Sequence, residues 1–366
     1  MKFSLIYEVA LPIDLEATGK TESEVFWEVL EQVKFAEEMG FEYIWLPEHH
    51  FLEDLSRSSA PEIFLSAIAQ HTSRIRIGHG VVLMPPPFSN PFKVAERIAT
   101  LDILSRGRID FGCGRSVTMA ELGGFGIFPG DARGMMQEAM RIVPEMWRQR
   151  EFPGYKGEYV DLPPRVVVPK PIQKPHPPMW MACGSPTSFR TAGEMGVGCL
   201  SFTATNPPEA KERLDNYRAG IASCTKPIGD YIHDQIACFT LVYVDEDEKT
   251  ALEIGGPNAV AHMGRITRYF GGILEQPGYE EYSASAHERQ AIADGKGDPL
   301  ERAKGFIDEA RICVGTPEQC EAIIRQYEEI GVDQFMGMVQ FSSVNHAQTM
   351  NTIRLMGEKI IPKFRS

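Results

Sequence analysis

The chain predicts a single (β/α)8 TIM barrel with insertions, and three observations carry that prediction. Strand-like and helix-like segments alternate almost from end to end of the 366 residues, the pattern of helices laid around a parallel sheet. Eight of the strand-like segments are short, apolar runs of the kind that is buried on both faces. No linker or internal repeat divides residues 1–366, and a composition that is 43% hydrophobic supplies one large core.

The first strand is expected over residues 3–7. Thr21 with Glu24 three residues on has the form of a capping box. It opens a helix whose apolar positions, Val25, Phe26, Val29, Leu30, Val33 and Ala36, repeat close to every 3.6 residues. Gly40 supplies its stop. Residues 41–46 form the second strand, ended by Pro47, which cannot donate to a ladder. Helix 61–72 leads to a third strand over 74–84, and helix 91–104 to a fourth over 108–115. A helix near 131–150 precedes a Pro- and Gly-rich excursion or hairpin over 152–178. Strands at 179–183, 197–202 and 231–244 are separated by helices ending near Gly196 and spanning 207–223. Residues 255–305 break the alternation with many glycines and charges, and a long weakly patterned stretch reads as a lid or mobile loop. Thr316 then caps a helix running to Gly331, strand 332–339 follows, and helix 346–361 closes the chain.

Charge and cysteine usage exclude several classes. Fifty acidic against 37 basic residues give a net charge of −13, unsuited to nucleic acid or an anionic membrane. No apolar run reaches the roughly 20 residues of a membrane helix, and Glu8 interrupts the N-terminus too early for a signal peptide. Seven scattered cysteines without CxxC show no zinc or disulfide framework. A reducing, cytoplasmic location is expected. Nine histidines with no HxH pair argue against a metal-dependent barrel hydrolase, and no metal site is expected.

Chemistry concentrates at two places. Glu48, His49 and His50 fall where the second strand runs out, and strand C-termini are where barrel enzymes place their reacting groups. Ordinary loop residues are the alternative reading of this triplet. Gly184-Ser185-Pro186-Thr187-Ser188 leads straight from the fifth strand into a helix, an arrangement that offers N–H groups and hydroxyls to an anion. Simple N-capping by Ser185 or Thr187 explains the same residues.

Five stretches, taken in order, carry a resemblance that spans nearly the whole chain. They are Gly40-Phe41 with Trp45-Leu46-Pro47-Glu48-His49-His50-Phe51, Ala95-Glu96-Arg97 with Leu101 to Arg108, Phe111-Gly112-Cys113-Gly114-Arg115, Phe125-Gly126 through Arg133, and Val314-Gly315-Thr316-Pro317-Glu318-Gln319-Cys320. Together they resemble the bacterial luciferase-like flavin-dependent monooxygenases, specifically the luciferase and two-component branch. The resemblance implies reduced FMN (FMNH2) bound at the barrel mouth, supplied by a separate NAD(P)H:flavin reductase, and O2 as co-substrate reacting through a flavin C4a-hydroperoxide. It places the catalytic histidine on His49 and phosphate contacts on Arg115, Arg133, Ser185 and Ser188. Gly184 stands where the family has an acidic residue, so only a backbone contact survives there. A non-prolyl cis peptide is implied at Gly80-Val81, lining the flavin, with His79 a second titratable candidate.

The luciferase reactive cysteine falls on Gly114, with Cys113 facing the other way, so light emission is not implied. Phe51, Met84, Phe111 and Phe202 are expected to line an apolar mouth for a hydrophobic substrate. Homodimerisation through helices 60–72 and 91–104 is also expected. Within the same superfamily, a deazaflavin (F420)-dependent hydride-transfer enzyme is the alternative; a non-catalytic flavin-binding protein is a third reading.

Overall fold

In the computed structural model, residues 1–202, 205–279, 281 and 297–365 are described. Eight parallel strands close on themselves. They are β1 (Lys2–Ile6), β2 (Tyr43–Leu46), β3 (Arg76–Leu83), β4 (Ile109–Gly114), β5 (Met179–Cys183), β6 (Gly198–Ser201), β7 (Ile236–Val244) and β8 (Gln334–Met338). Each pairs with the next, β8 pairs back to β1, and β6 joins β7 to complete the cylinder. Helices α1 (Glu22–Glu38), α2 (Pro61–His71), α3 (Pro91–Leu104), α4 (Met119–Gly124), α5 (Pro129–Arg148), α6 (Pro186–Met195), α7 (Pro207–Ser223), α8 (Gly256–Gly271), α9 (Pro299–Asp308), α10 (Pro317–Glu329) and α11 (His346–Leu355) surround it. The Thr21–Glu24 capping box is present at α1. A two-stranded hairpin pairs Tyr155 with Leu162 inside the 152–178 excursion, and a short strand, Cys313–Gly315, adds to the side of β7.

The expected loop over 255–305 is corrected in part. Its first third is α8, a continuous helix reached through a π-turn at Ala251–Gly255. Glycines at 255, 256, 264 and 271 hid the helical period, since glycine disfavours helix by about 1 kcal/mol relative to alanine. Tertiary contacts override that preference. Ala259 is buried in the barrel's inner cluster, and Arg265 ties α8 to Ser342 at 2.7 Å and to Asp14 at 2.8 Å. Residues 280 and 282–296 of the expected excursion lie outside the described residues.

Strand parity divides the core into two layers. Ile44, Leu46, Ile77, Ile109, Phe111 and Cys113 face the helices. Tyr43, Trp45, Val81, Trp180, Leu200 and Met336 fill the interior. Trp45 and Trp180 meet edge to face with ring centroids 5.4 Å apart. Their bulk is accommodated by missing side chains opposite. A Cβ on Gly78 would lie 2.0 Å from the Trp45 ring, one on Gly80 2.6 Å from it, and one on Gly198 2.5 Å from the Trp180 ring. Large indoles against glycines are how this barrel fills its centre without overpacking.

This packing predicts that Gly78→Ala lowers unfolding stability by about 1–3 kcal/mol, the usual range for forcing an extra methyl into a filled core. Urea denaturation would check it. Combining it with Trp45→Phe should recover part of the loss, because the smaller ring vacates the space the methyl needs.

Candidate active site

The chain leaving β2 is pinned on both sides. The Glu48 N–H donates to the Val81 carbonyl at 3.2 Å, and the His49 N–H donates to the Ser58 carbonyl at 2.9 Å. The Ser58 hydroxyl in turn donates to the Pro47 carbonyl at 2.6 Å. The Glu48 carboxylate accepts the Leu83 N–H at 2.8 Å and lies 3.2 Å from His50 Nε2. The two neighbouring histidines therefore enter different surroundings. The His50 ring packs among Phe51, Phe88 and Phe125. His49 turns toward two other carboxylates.

His49 Nδ1 donates to Glu121 Oε1 at 2.9 Å, and His49 Nε2 lies 3.8 Å from Glu8 Oε1. Glu121 is 0% exposed. Besides the imidazole, its carboxylate accepts the His50 N–H at 3.0 Å, the Ser116 hydroxyl at 2.6 Å and the Thr118 hydroxyl at 2.8 Å. A buried carboxylate so completely supplied with donors is held ionised. Burial alone would raise its pKa, but His49 and these donors bring it down to about 2. Burial would likewise neutralise His49, yet the Glu8 and Glu121 carboxylates lift it to about 9. Glu8 itself sits above the usual carboxylate range because burial outweighs its attraction to His49. At neutral pH the site thus presents an imidazolium, a proton donor with a fixed orientation rather than a free base.

Glu121 and Glu8 are the residues that sequence reasoning missed. Thr118-Met119-Ala120-Glu121 has the spacing of a capping box, which assigns the glutamate to helix α4. Thr118 does accept the Glu121 N–H at 3.2 Å, but the Glu121 carboxylate does not return to the Thr118 N–H; Ser116 Oγ takes that donor at 3.2 Å. The spacing alone does not distinguish this diverted carboxylate from an ordinary capping glutamate.

A second cluster lies at the mouth of β4 and the start of α6. Arg115 Nη2 and Arg133 Nη2 both donate to the Gly278 carbonyl, at 3.1 and 3.2 Å. Arg115, 8% exposed, stacks its guanidinium on the Tyr279 ring at 3.8 Å and leaves Nη1 buried without a hydrogen-bond partner among the described residues. At α6 the Ser188 hydroxyl is committed to the cap: it accepts the Gly184 and Ser185 N–H groups and donates to the Ser185 carbonyl. The outward-facing donors are those of Thr187. Its N–H donates to Glu281 Oε2 at 3.2 Å, and its hydroxyl donates to Glu281 Oε1. Thr187 belongs to the Gly184–Ser188 stretch expected to offer donors to an anion, and the cap itself is Ser185.

The interior residues divide. Gly80 and Val81 both face the barrel centre, across the cis peptide between them. Gly114 faces Val81, with a Cβ there only 2.3 Å from a Val81 methyl, while Cys113 points to the helices. Phe202 packs against the interior cluster. Phe51 stands 61% exposed at the rim, its backbone at φ 63°. Phe111 and Met84 do not line the mouth. Both are fully buried in the outer layer, Phe111 edge-on to Trp147 of α5 with centroids 5.5 Å apart. His79 also faces outward, into a small cavity with Glu48, Glu62, Ser89 and Arg97, away from His49. Among the described residues no cluster could hold a metal ion.

The barrel thus carries a histidine between two carboxylates at one strand end, and converging guanidiniums and the exposed donors of Thr187 at two others. The description "luciferase-like monooxygenase" matches residues 5–334, and the chain belongs to that family. It is 23% identical to the oxygenase component of the flavin-dependent trigonelline monooxygenase of Acinetobacter baylyi, covering 100% of this chain and 96% of that one. It is 24% identical to the F420-dependent glucose-6-phosphate dehydrogenase of Amycolatopsis mediterranei, covering 93% of this chain and 95% of that protein. The crystal structure of monooxygenase RslO1 from Streptomyces bottropensis superposes with a TM-score of 0.79 at 26% identity, covering 100% of both chains.

The linked ionisations set a pH dependence. His49 is raised from 6.5 to about 9, so its coupling stabilises the fold fully below pH 6.5 and is lost as pH rises through about 9. Glu121 is lowered from 4.5 to about 2, so its contribution is present above pH 4.5 and lost as pH falls through about 2. The pair therefore contributes most between pH 4.5 and 6.5. In Glu121→Gln the alkaline decline should flatten, and the His49 ring, followed by nitrogen-15 NMR, should titrate closer to neutrality.

Proposed function

We propose that this protein is the oxygenase of a two-component system, binding reduced FMN and O2 and oxygenating a small hydrophobic organic molecule. The observation that carries this reading is the partly buried His49 ring, hydrogen-bonded to the fully buried Glu121 carboxylate at 2.9 Å, together with the two arginines that converge on the Gly278 carbonyl. The donor set fits a phosphate. Two guanidiniums converge, Arg115 Nη1 is buried and unsatisfied among the described residues, and the Thr187 N–H at the start of α6 already holds an anionic group of the chain itself. Reduced flavin supplies two electrons to O2, one oxygen atom passing to the substrate and the other leaving as water. The rest is done by this chain. Arg115, Arg133 and Thr187 would hold the phosphate, and Gly80, Val81 and Gly114 would border the ring system. His49 would donate a proton and a hydrogen bond at the oxygen-bearing edge. Phe202 and the rim residue Phe51 would meet the substrate.

The trigonelline relative is itself named as an oxygenase component, which supports a separate NAD(P)H:flavin reductase as the source of reduced flavin. Exposed Ile63 on α2 and Ile103 and Leu104 on α3 support a homodimer through those helices. A second reading is favoured by the F420-dependent relative: hydride transfer with a deazaflavin, His49 then serving as the proton partner of the transferred hydride.

Binding measurements separate the two. The oxygenase reading expects reduced FMN to bind more tightly than a deazaflavin cofactor under anaerobic conditions. The reverse order would establish the hydride-transfer reading. Arg133→Ala should weaken reduced FMN by about 10- to 100-fold, as expected for one charge-assisted hydrogen-bonding group, while leaving reduced riboflavin unaffected. Unchanged FMN affinity would move the phosphate elsewhere. His49→Ala should retain FMN but lower the yield of oxygenated product per flavin oxidised; wild-type yield would remove His49 from the chemistry.

A further inference from the structure

The cradle is not presented empty-handed. Its ligands come from the stretch after α8. Ile273 and Tyr279 of that stretch are buried with Leu122 of α4 and with Ile127 and Ala132 beside and within α5. That packing delivers the Gly278 carbonyl to Arg115 and Arg133 together. The Glu281 carboxylate is bound by the N–H and hydroxyl of Thr187. Although partial burial opposes it, Thr187, Ser185 and the nearby Arg133 charge hold Glu281 below the usual carboxylate range. Two residues three apart in the chain therefore meet the two halves of the cradle, Gly278 on the arginines that follow β4 and open α5, and Glu281 at the N-terminus of α6.

We propose that the Gly278 carbonyl and the Glu281 carboxylate are internal stand-ins for the cofactor's phosphate, so that cofactor entry requires their displacement. The proposal rests on the cofactor reading above. Its chemistry is an exchange of acceptors. A carboxylate carries one negative charge and two oxygens; a phosphate monoester carries close to two charges and three free oxygens, matched to two guanidiniums and an N–H. Charge and donor count favour the phosphate once it arrives. Until then the cradle's cations are not left bare, and the apparent affinity for FMN is the intrinsic affinity multiplied by the fraction of molecules in which Glu281 is unseated. Arg115 Nη1, buried and without a partner among the described residues while the stand-ins are in place, is the donor that the carbonyl and carboxylate do not reach and a third phosphate oxygen would.

The test is anaerobic equilibrium dialysis of reduced FMN and reduced riboflavin against wild type, Glu281→Gln and Glu281→Ala. Glu281 is exposed, so neither substitution threatens the core. Removing the competing charge should tighten reduced FMN by about tenfold, the release of a conformational penalty of roughly 1.4 kcal/mol. Reduced riboflavin, which has no phosphate, should bind all three proteins alike. Inorganic phosphate should compete with FMN more effectively in the variants than in wild type. Unchanged or weaker FMN binding in both variants, with wild type still preferring FMN to riboflavin, would overturn the proposal and leave the cofactor reading standing. If wild type and variants all bind the two flavins equally, no phosphate is held in this cradle, and both fail.

Discussion

The buried Glu121 carboxylate is the constraint around which the mouth of this barrel is built. A carboxylate with no solvent exposure must find donors or give up its charge. Here the donors are the His49 ring, the His50 backbone, and the hydroxyls of Ser116 and Thr118. Those groups belong to the loops after β2 and β4, strands that are not adjacent. Glu8, directly after β1, approaches the other nitrogen of His49. One ionic cluster thus fixes three strand ends relative to one another, and the catalytic candidate is the cation at its centre.

The interior packing determines where that cluster sits. Trp45 of β2 occupies the space left by Gly78 and Gly80 of β3, which brings β2 and β3 together at the level just below His49. Val81 then faces Gly114 across the β3–β4 pair. The wall along β3 and β4 is consequently made of small or slender residues, Gly78, Gly80, Val81 and Gly114, with the Trp45 indole packed against its glycines. On the far side of the mouth, the capping box of α6 consumes Ser185 and Ser188 and turns the Thr187 donors outward. Capping and anion binding share the helix end by using different residues.

Most of the barrel was legible because strand and helix periods are written locally. α3 and α7 occur at the expected boundaries, and β5 does as well. His49 was legible because a proline stop places it at a strand end. Glu121 was not, since its sequence spacing describes a local cap while its carboxylate serves a histidine 72 residues away. Phe111 and Met84 were misassigned to the mouth on aromatic and apolar character alone. Parity along β4 excludes Phe111, which shares its face with Ile109 and Cys113, and the same parity correctly set Gly114 inward and Cys113 outward. The helix α8 was hidden by its glycines and becomes intelligible only with its arginine ties to Asp14 and Ser342.

The central claim is that this site receives a reduced flavin and governs its reaction with oxygen. Anaerobic mixing of the protein with FMNH2, followed by O2 in a stopped-flow spectrometer, tests it most directly. The account predicts that flavin absorbance returns to the oxidised form far more slowly with protein than without, and that substituting His49 alters that time course. Reoxidation at the rate of free flavin, with protein in excess, would contradict it.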